Sequence, residues 1–357
     1  MSQFLNPEQN EFKDTLRRFF ADNFPLEKAR ERMGAEAARS ALEELGLTGY
    51  LASDDEEAGG VRELACLALE LGYSLAPGHL ARNLLFGPFL LSRLLNSDAD
   101  LKRIGEKLAN DKAHSCFGVK RDGFDANKCF DLVEAADSSQ VLVGLDSRTL
   151  ALSVFGYKEE SALSHSEQQC LDLCVRSYKV DVGTLSSKEV ENPKVSSRAV
   201  HILALLTACE IAGCAERAIN MTREYVAQRK QFGVPVGGFQ AVQHKLVDLY
   251  VRNEAMRALS FFAATAADEV MDEDADPSSS ELSVEEKQFY LSSRAALDQA
   301  RRYGPAIIEG AIQLHGGIGF TWEHDLHLFL RRVRSLVAQY GGLFDGAENS
   351  VALADLI

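Results

Sequence analysis

Gln313-Leu314-His315-Gly316-Gly317-Ile318-Gly319-Phe320 places glycines at 316, 317 and 319 directly after a long run of helical hydrophobic spacing. Glycine tolerates positive φ and carries no Cβ, so such a corner can turn its backbone N–H groups toward a phosphate. Taken alone, the same run is also how an ordinary helix ends. The surrounding residues decide between the two. Upstream, apolar residues recur with helical periodicity over Val195–Lys230, Phe239–Asp268 and Ser283–Leu314; downstream, Phe329–Leu336 and Val351–Ile357 give shorter pieces. Asp272-Glu273-Asp274-Ala275-Asp276-Pro277-Ser278-Ser279-Ser280-Glu281 is an acidic connector of the kind that stays solvated. A helical bundle is therefore expected in the C-terminal half, with the glycine corner at the end of one of its helices.

A second segment ends another of these helices. Arg223-Glu224-Tyr225-Val226-Ala227-Gln228-Arg229-Lys230-Gln231-Phe232-Gly233 runs into Val234-Pro235-Val236-Gly237-Gly238-Phe239-Gln240, a charged helix end followed by a loop and a new helix. Arg229 offers a planar fork of donors suited to a pyrophosphate, and Phe232 offers a flat face for a ring. Together the two segments resemble the acyl-CoA dehydrogenase family. Its Arg-x-x-Phe-Gly loop is matched by Arg229, Phe232 and Gly233, its Phe-Gln helix start by Phe239-Gln240, and its Gln-x-x-Gly-Gly-x-Gly turn by Gln313 through Gly319, with Leu330-Arg331-Arg332 following. The resemblance is clear over roughly the last 160 residues and fainter over the first hundred, a span of whole domains. It implies FAD as cofactor, with Arg229, Phe232, Gln240, Gln313, Gly316, Gly317 and Gly319 on the adenylate half of the dinucleotide. It also implies a mostly α fold with a small β domain: an N-terminal helical domain over residues 1–114, a reduced β-barrel-like domain over 115–192 and a C-terminal four-helix bundle over 193–357.

The rest of the chain reads in the same order. Asn6-Pro7-Glu8-Gln9 supplies a capping residue, a proline at the first helical position and a glutamine placed for a capping box, and Phe12, Leu16, Phe19 and Phe20 then form an apolar face. Helical patterns follow at Ala35–Leu45, Val61–Leu75 and Leu80–Leu95. Leu47 to Gly60 between them resembles the family's loop into a Gly-Gly turn, without its usual proline. From Cys116 to about Val190 the apolar residues come in short alternating runs, such as Val141-Leu142-Val143 and Val180-Asp181-Val182, which is strand spacing.

Composition excludes several rivals. At 357 residues the chain is long enough for more than one core. A formal charge of −15 argues against a nucleic-acid partner, which needs a surplus of Lys and Arg. The cysteines number 7 and show no zinc-type spacing, so they read as reduced thiols of a cytoplasmic protein. The N-terminus has no basic region followed by an apolar core, so no secretion signal is expected. The most apolar run, Ala199 to Ala215, is interrupted by His201 and Glu210 and is shorter than the ~20 residues of a membrane span, so no membrane insertion is expected. His315, His324 and His327 lie near the glycine turn, with His324 and His327 at helical i,i+3 spacing. Without acids or cysteines at ligand spacing they read as surface or interface histidines rather than a metal site.

The chain departs from the family at its chemistry. Acyl-CoA dehydrogenation takes the α proton to a base while the β hydrogen leaves as hydride to the flavin, so a placed carboxylate is needed. In most members that base is a glutamate before a glycine, shortly after the arginine-rich segment; counting from Arg331, this chain has Tyr340-Gly341-Gly342 there. The minority position on the first bundle helix falls at Leu203, next to Ala204. Both places lack an acid. Asp345 and Glu348 just downstream and Glu210 within the apolar helix are substitutes by sequence alone. Acids beside a terminal helix are usually solvated, however, and a lone acid such as Glu210 is expected to pair with an arginine or polar group across the bundle. The flavin-ring segment of the family is replaced by Phe117 through Asp125, and the single tryptophan is Trp322.

In the family the flavin lies at a subunit interface, the ring in one protomer and its ADP portion on the neighbour's Arg-x-x-Phe loop and glycine turn. The resemblance therefore implies a base-less subunit serving the FAD site of a catalytic sibling, similar to members that work as α2β2 heterotetramers on steroid-side-chain CoA thioesters, with an electron-transfer acceptor as further partner. Two other readings stay open at this point: a homomeric dehydrogenase with Asp345 or Glu348 as relocated base, and a flavin-free scaffold that keeps the fold alone.

Overall fold

Asn6 caps the first helix, Pro7–Asn23, as a full capping box: its side chain accepts from the Gln9 N–H at 2.8 Å, and the Gln9 side chain accepts from the Asn6 N–H at 3.1 Å. In this computed structural model the described residues are 5–31, 40, 43–53, 58–77, 79–95, 98–110, 114–120, 129–134, 136–156, 158, 163–272 and 282–345. The expected helices at Val351–Ile357 and over most of Ala35–Leu45 lie outside them.

Two expectations in the N-terminal region change. Leu47–Ala52 is helical rather than loop. Gly46 takes the left-handed conformation (φ 63°) that lets the chain re-enter a helix, and Leu47 and Leu51, one turn apart, are both buried. The pattern Leu80–Leu95 is not one α-helix: His79–Leu84 is α-helical and Leu85–Leu94 is π-helical. Pro88 lies within the second part. It has no N–H and its ring crowds the carbonyl four residues back, so the turn widens, and the Leu95 N–H donates to the Leu90 carbonyl at 3.0 Å. Val61–Ser74 and Ala99–Ala109 are further α-helices among the described residues of this region, and Leu26–Glu31 is a 3-10 helix.

The middle region is a sheet of strands β1 (Ser115–Lys120), β2 (Cys129–Glu134), β3 (Val141–Asp146), β4 (Leu152–Phe155), β5 (His165–Gln168), β6 (Ser177–Asp181) and β7 (Ser187–Glu189) in the order β5-β6-β2-β1-β3-β4-β7. Every pair is antiparallel except β1 with β3. Alternation sorts its faces: Phe117, Val143, Leu145, Leu152 and Val154 join the main core against the helices, while Cys116, Leu142, Phe130, Val133 and Val180 form a second cluster on the other side.

The bundle follows in four helices, Pro193–Gln228, Gln240–Asp272, Val284–His315 and Leu326–Tyr340. The first is its central helix. It is long and apolar enough to cross a membrane, yet 94% of its apolar window is buried inside the protein. It meets Val61–Ser74 at backbone contact: a Cβ on Gly72 would lie 2.0 Å from the Glu210 carbonyl, and one on Gly213 would lie 1.9 Å from that of Leu69. The fold is thus mostly α with one small sheet domain, ending in a four-helix bundle. All cysteines are free thiols.

Candidate functional site

The segment expected as a loop after the central helix is a two-residue hairpin. Lys230–Gln231 pairs antiparallel with Val234–Pro235, and both turn residues have positive φ, Phe232 at 53° and Gly233 at 85°. This is the geometry that matches the twist of a tight hairpin, and glycine or asparagine adopts it far more easily than phenylalanine. The turn projects the Phe232 ring into solvent at 94% exposure, with Phe239 edge-on to it at 6.4 Å. Arg229 caps the helix just before the hairpin and is exposed, and among the described residues no carboxylate pairs with its guanidinium. Gln240 opens the next helix, also exposed.

The glycine turn lies at the end of the third bundle helix. Gly316 ends it at φ 65°, and a Cβ added to Gly316 or Gly317 would meet nothing within 4 Å. These backbones open onto solvent beside exposed Gln313. Gly319 faces the other way: it is buried, and a Cβ there would stand 2.6 Å from the Ile312 carbonyl, so packing requires the glycine. The two segments are neighbours, because the Tyr225 ring, one turn before Arg229, stacks on His315, the residue before Gly316, with centroids 4.4 Å apart. An unpaired planar cation, open backbone corners and an exposed ring together form an edge fit for the phosphates and base of a dinucleotide.

The places where the resemblance puts proton abstraction and the flavin ring look quite different. Tyr340 is buried, with the Phe117 ring 6.4 Å away and the Arg82 guanidinium 5.1 Å above its own ring. Phe117 in turn stacks on Phe86 at 3.9 Å and 8°. Phe117, from the expected ring-pocket segment, thus lies beside Tyr340 at the expected base position, while residues 121–125 of that segment fall outside the described residues. Beside them lies a buried ion cluster that sequence reasoning saw only in part. Arg82 donates to Glu210 at 2.9 Å and Glu134 at 3.3 Å; Arg332 donates to Glu210 at 3.0 Å, to the Ala76 carbonyl at 2.8 Å and to Asp172. Burial by itself would disfavour charge on Arg332, but the Asp172 and Glu210 carboxylates outweigh it and raise its pKa well above the ordinary value. Burial pushes the Glu134 carboxyl up, against the pull of Arg82 and Arg332. Glu210 therefore pairs structurally, with two arginines.

The remaining candidates lie elsewhere. Leu203 and Ala204 are buried in the core. Asp345 accepts from Arg301 at 2.7 Å at the surface, and Glu348 falls outside the described residues. His324 and His327 do not share a helix face, since His324 precedes the helix that starts at Leu326; the His327 Nδ1–H donates to the His324 carbonyl at 2.8 Å. His324 and His327 are half-buried rather than on the surface, and His315 is buried. Among the described residues no group of His, Cys, Asp and Glu is placed to hold a metal ion.

Residues 194–342 match the family described as acyl-CoA dehydrogenase, C-terminal domain. Acyl-CoA dehydrogenase IpdE2 of Mycobacterium tuberculosis is 38% identical over 152 residues, which is 42% of this chain and 40% of that protein. The chain's matches span about two fifths of the length of such curated relatives. Among solved structures, the Tcur3481-Tcur3483 steroid ACAD variant shares a TM-score of 0.75 at 21% identity, covering 98% of this chain and 97% of that one. The ChsE4-ChsE5 complex from Mycobacterium tuberculosis shares a TM-score of 0.69 at 17% identity, covering 96% of each. At these identities the structural likeness is one of fold.

Proposed function

We propose that this chain, whose residues 194–342 match the C-terminal domain of the FAD-dependent acyl-CoA dehydrogenase family, is a base-less subunit of an acyl-CoA dehydrogenase that completes the flavin site of a catalytic sibling. One observation carries the reading: the Arg229 hairpin and the Gly316-Gly317 backbone stand open to solvent, with no carboxylate on Arg229 among the described residues, while a tyrosine buried beside Phe117 stands at the expected base position. A phenylalanine held at positive φ and left 94% exposed is costly for an isolated chain and useful to one whose ring is covered by another molecule.

Bound at this edge, FAD supplies the hydride acceptor for dehydrogenation of the thioester. This chain's part is to hold the dinucleotide. Arg229 and the Gly317 N–H would take the phosphates, and the Cβ-free Gly316, whose own N–H donates to the Gln313 carbonyl, would leave them room. The Gln240 and Gln313 side chains would bond the polar rim, and Phe232 would cover the ring of the base. The sibling supplies the carboxylate and the pocket for the flavin ring. Heteromeric assembly is supported by the fold shared with Tcur3481-Tcur3483 and ChsE4-ChsE5, and the first of these, a steroid ACAD, makes a bulky steroid-side-chain thioester the substrate class to try first. Residues 1–114, 115–192 and 193–357 are taken as its domains.

The test is flavin per chain. The chain purified alone should be colourless; co-purified with its sibling it should be yellow and bleach on adding acyl-CoA. A full complement of flavin and turnover by the chain alone would overturn the proposal. In the yellow assembly Arg229→Ala should weaken flavin retention about 10- to 100-fold, the range of one charge-assisted hydrogen bond lost.

A further inference from the structure

Tyr225, His315 and His324 are not among the residues the resemblance assigns to the nucleotide, yet their rings meet where its two binding segments meet. His315 is buried as the last residue of the third bundle helix, its Nδ1–H donating to the Ala311 carbonyl at 2.9 Å, which fixes the ring's orientation. Tyr225 stacks on it at 4.4 Å and 21°, and His324 meets it edge-on at 4.6 Å and 65°. His324 is held as well: its Nδ1 accepts from the Leu326 N–H at 3.3 Å, and the loop carrying it is tied down by Arg30, which donates to the Trp322 carbonyl and to Asp325, each at 2.7 Å. Burial lowers the pKa of both imidazoles, consistent with neutral rings in contact.

The consequence is positional. The Arg229 N–H donates to the Tyr225 carbonyl at 2.8 Å, so the arginine sits one helical turn from the stack, and Gly316 is bonded directly to His315. The central and third helices also meet away from these rings, where a Cβ on Gly304 would stand 2.2 Å from the Ile211 side chain, and Ala218, Ile307 and Ala311 are buried on the same two helices. We propose that Tyr225, His315 and His324 form an aromatic clamp whose role is to fix the Arg229 hairpin and the glycine turn at the spacing one dinucleotide requires. They are positioning residues, and the inference rests on the reading that this edge binds FAD.

The experiment is a double-mutant cycle in the yellow assembly, with FAD as the probe and flavin dissociation and thermal midpoint as readouts. Tyr225→Leu should raise the flavin dissociation constant at least tenfold and Tyr225→Phe should restore it, while the midpoint of the flavin-free chain moves little. Combining Tyr225→Leu with Arg229→Ala should cost little more than Arg229→Ala alone, because an unpositioned arginine is already lost; independent effects would instead add. His315→Leu should behave as Tyr225→Leu does. If Arg229→Ala keeps wild-type affinity, the nucleotide reading of this edge fails. If Arg229→Ala loses flavin while Tyr225→Leu and His315→Leu bind as wild type, or if the losses add, the clamp fails and the nucleotide reading survives.

Discussion

At the junction of the N-terminal helices, sheet and bundle, Arg82, Glu134, Asp172, Glu210 and Arg332 are all under a tenth exposed and bonded to one another, with Tyr340, Phe117 and Phe86 packed alongside. At the far ends of two of the same bundle helices, Arg229, Phe232, Gly316 and Gly317 are exposed, without carboxylate partners among the described residues. The first region pairs its charges internally, leaving the Arg332 Nη2 as its one buried side-chain nitrogen without a hydrogen-bond partner among the described residues. The second leaves a cation without a carboxylate among the described residues and a ring in solvent, beside a glycine corner whose Cβ-free backbone is exposed.

Breaking the junction should give the largest effect. Glu210→Ala removes the carboxylate shared by Arg82 and Arg332 and leaves buried positive charge undercompensated, so urea unfolding should report a loss of about 3–5 kcal/mol. Arg229→Ala in the isolated chain should stay within about 0.5 kcal/mol of wild type, as expected of an exposed side chain with no carboxylate partner among the described residues. Equal losses for both variants would erase the distinction between the two regions.

A second interior site sharpens the contrast through pH. His201 is buried between Tyr290 at 4.2 Å and Phe344 at 4.7 Å, its Nδ1 bonded to the Ser293 hydroxyl at 2.7 Å, and burial, helped by the Arg294 charge, pushes its pKa down to about 3. Between that value and the ordinary histidine value, the unfolded chain binds a proton that the folded chain refuses. The stability tied to His201 is thus complete above about pH 6.5 and falls by about 1.4 kcal/mol per pH unit below it, or roughly 2 kcal/mol by pH 5. His201→Phe keeps a ring in the stack and cannot take the proton, so its stability should fall less steeply than wild type between pH 6.5 and 5 in parallel denaturant titrations. Parallel slopes would show that this histidine does not carry the effect.

The sequence makes the two regions unequally legible for a physical reason. The open edge is made of contiguous chain: Arg229 to Gly233 and Gln313 to Gly319 carry their local geometry in residue type, so both were readable, although Phe232 in a two-residue hairpin was not. The bundle and sheet were likewise readable from periods of about 3.6 and 2. The ion cluster was not, because residues 82, 134, 172, 210 and 332 meet only in the folded chain. Glu210 announced itself as a lone acid in an apolar helix, but its partners gave no local signal. That a tyrosine stands at 340 was visible, and the stack of Phe117 and Phe86 beside it was not. Pro88 was present in the pattern of Leu80–Leu95, yet hydrophobic spacing alone does not distinguish an α-turn from a π-turn.

The smallest expected effect has the opposite sign. Phe232 occupies the first position of a turn whose backbone favours asparagine, with Gly233 already suited to the second. Holding a non-glycine residue at that φ costs about 1–2 kcal/mol, and a ring 94% exposed recovers almost nothing by burial. Phe232→Asn should therefore stabilise the isolated chain by about 0.5–1 kcal/mol, seen as a higher urea midpoint at unchanged slope. In the yellow assembly the same variant should release flavin faster, because the ring that covers the base is gone. A substitution that strengthens the fold while weakening the complex is what an edge shaped for another molecule requires. Were Phe232→Asn to destabilise the lone chain, the hairpin would be serving the fold, and the contrast between edge and junction would disappear.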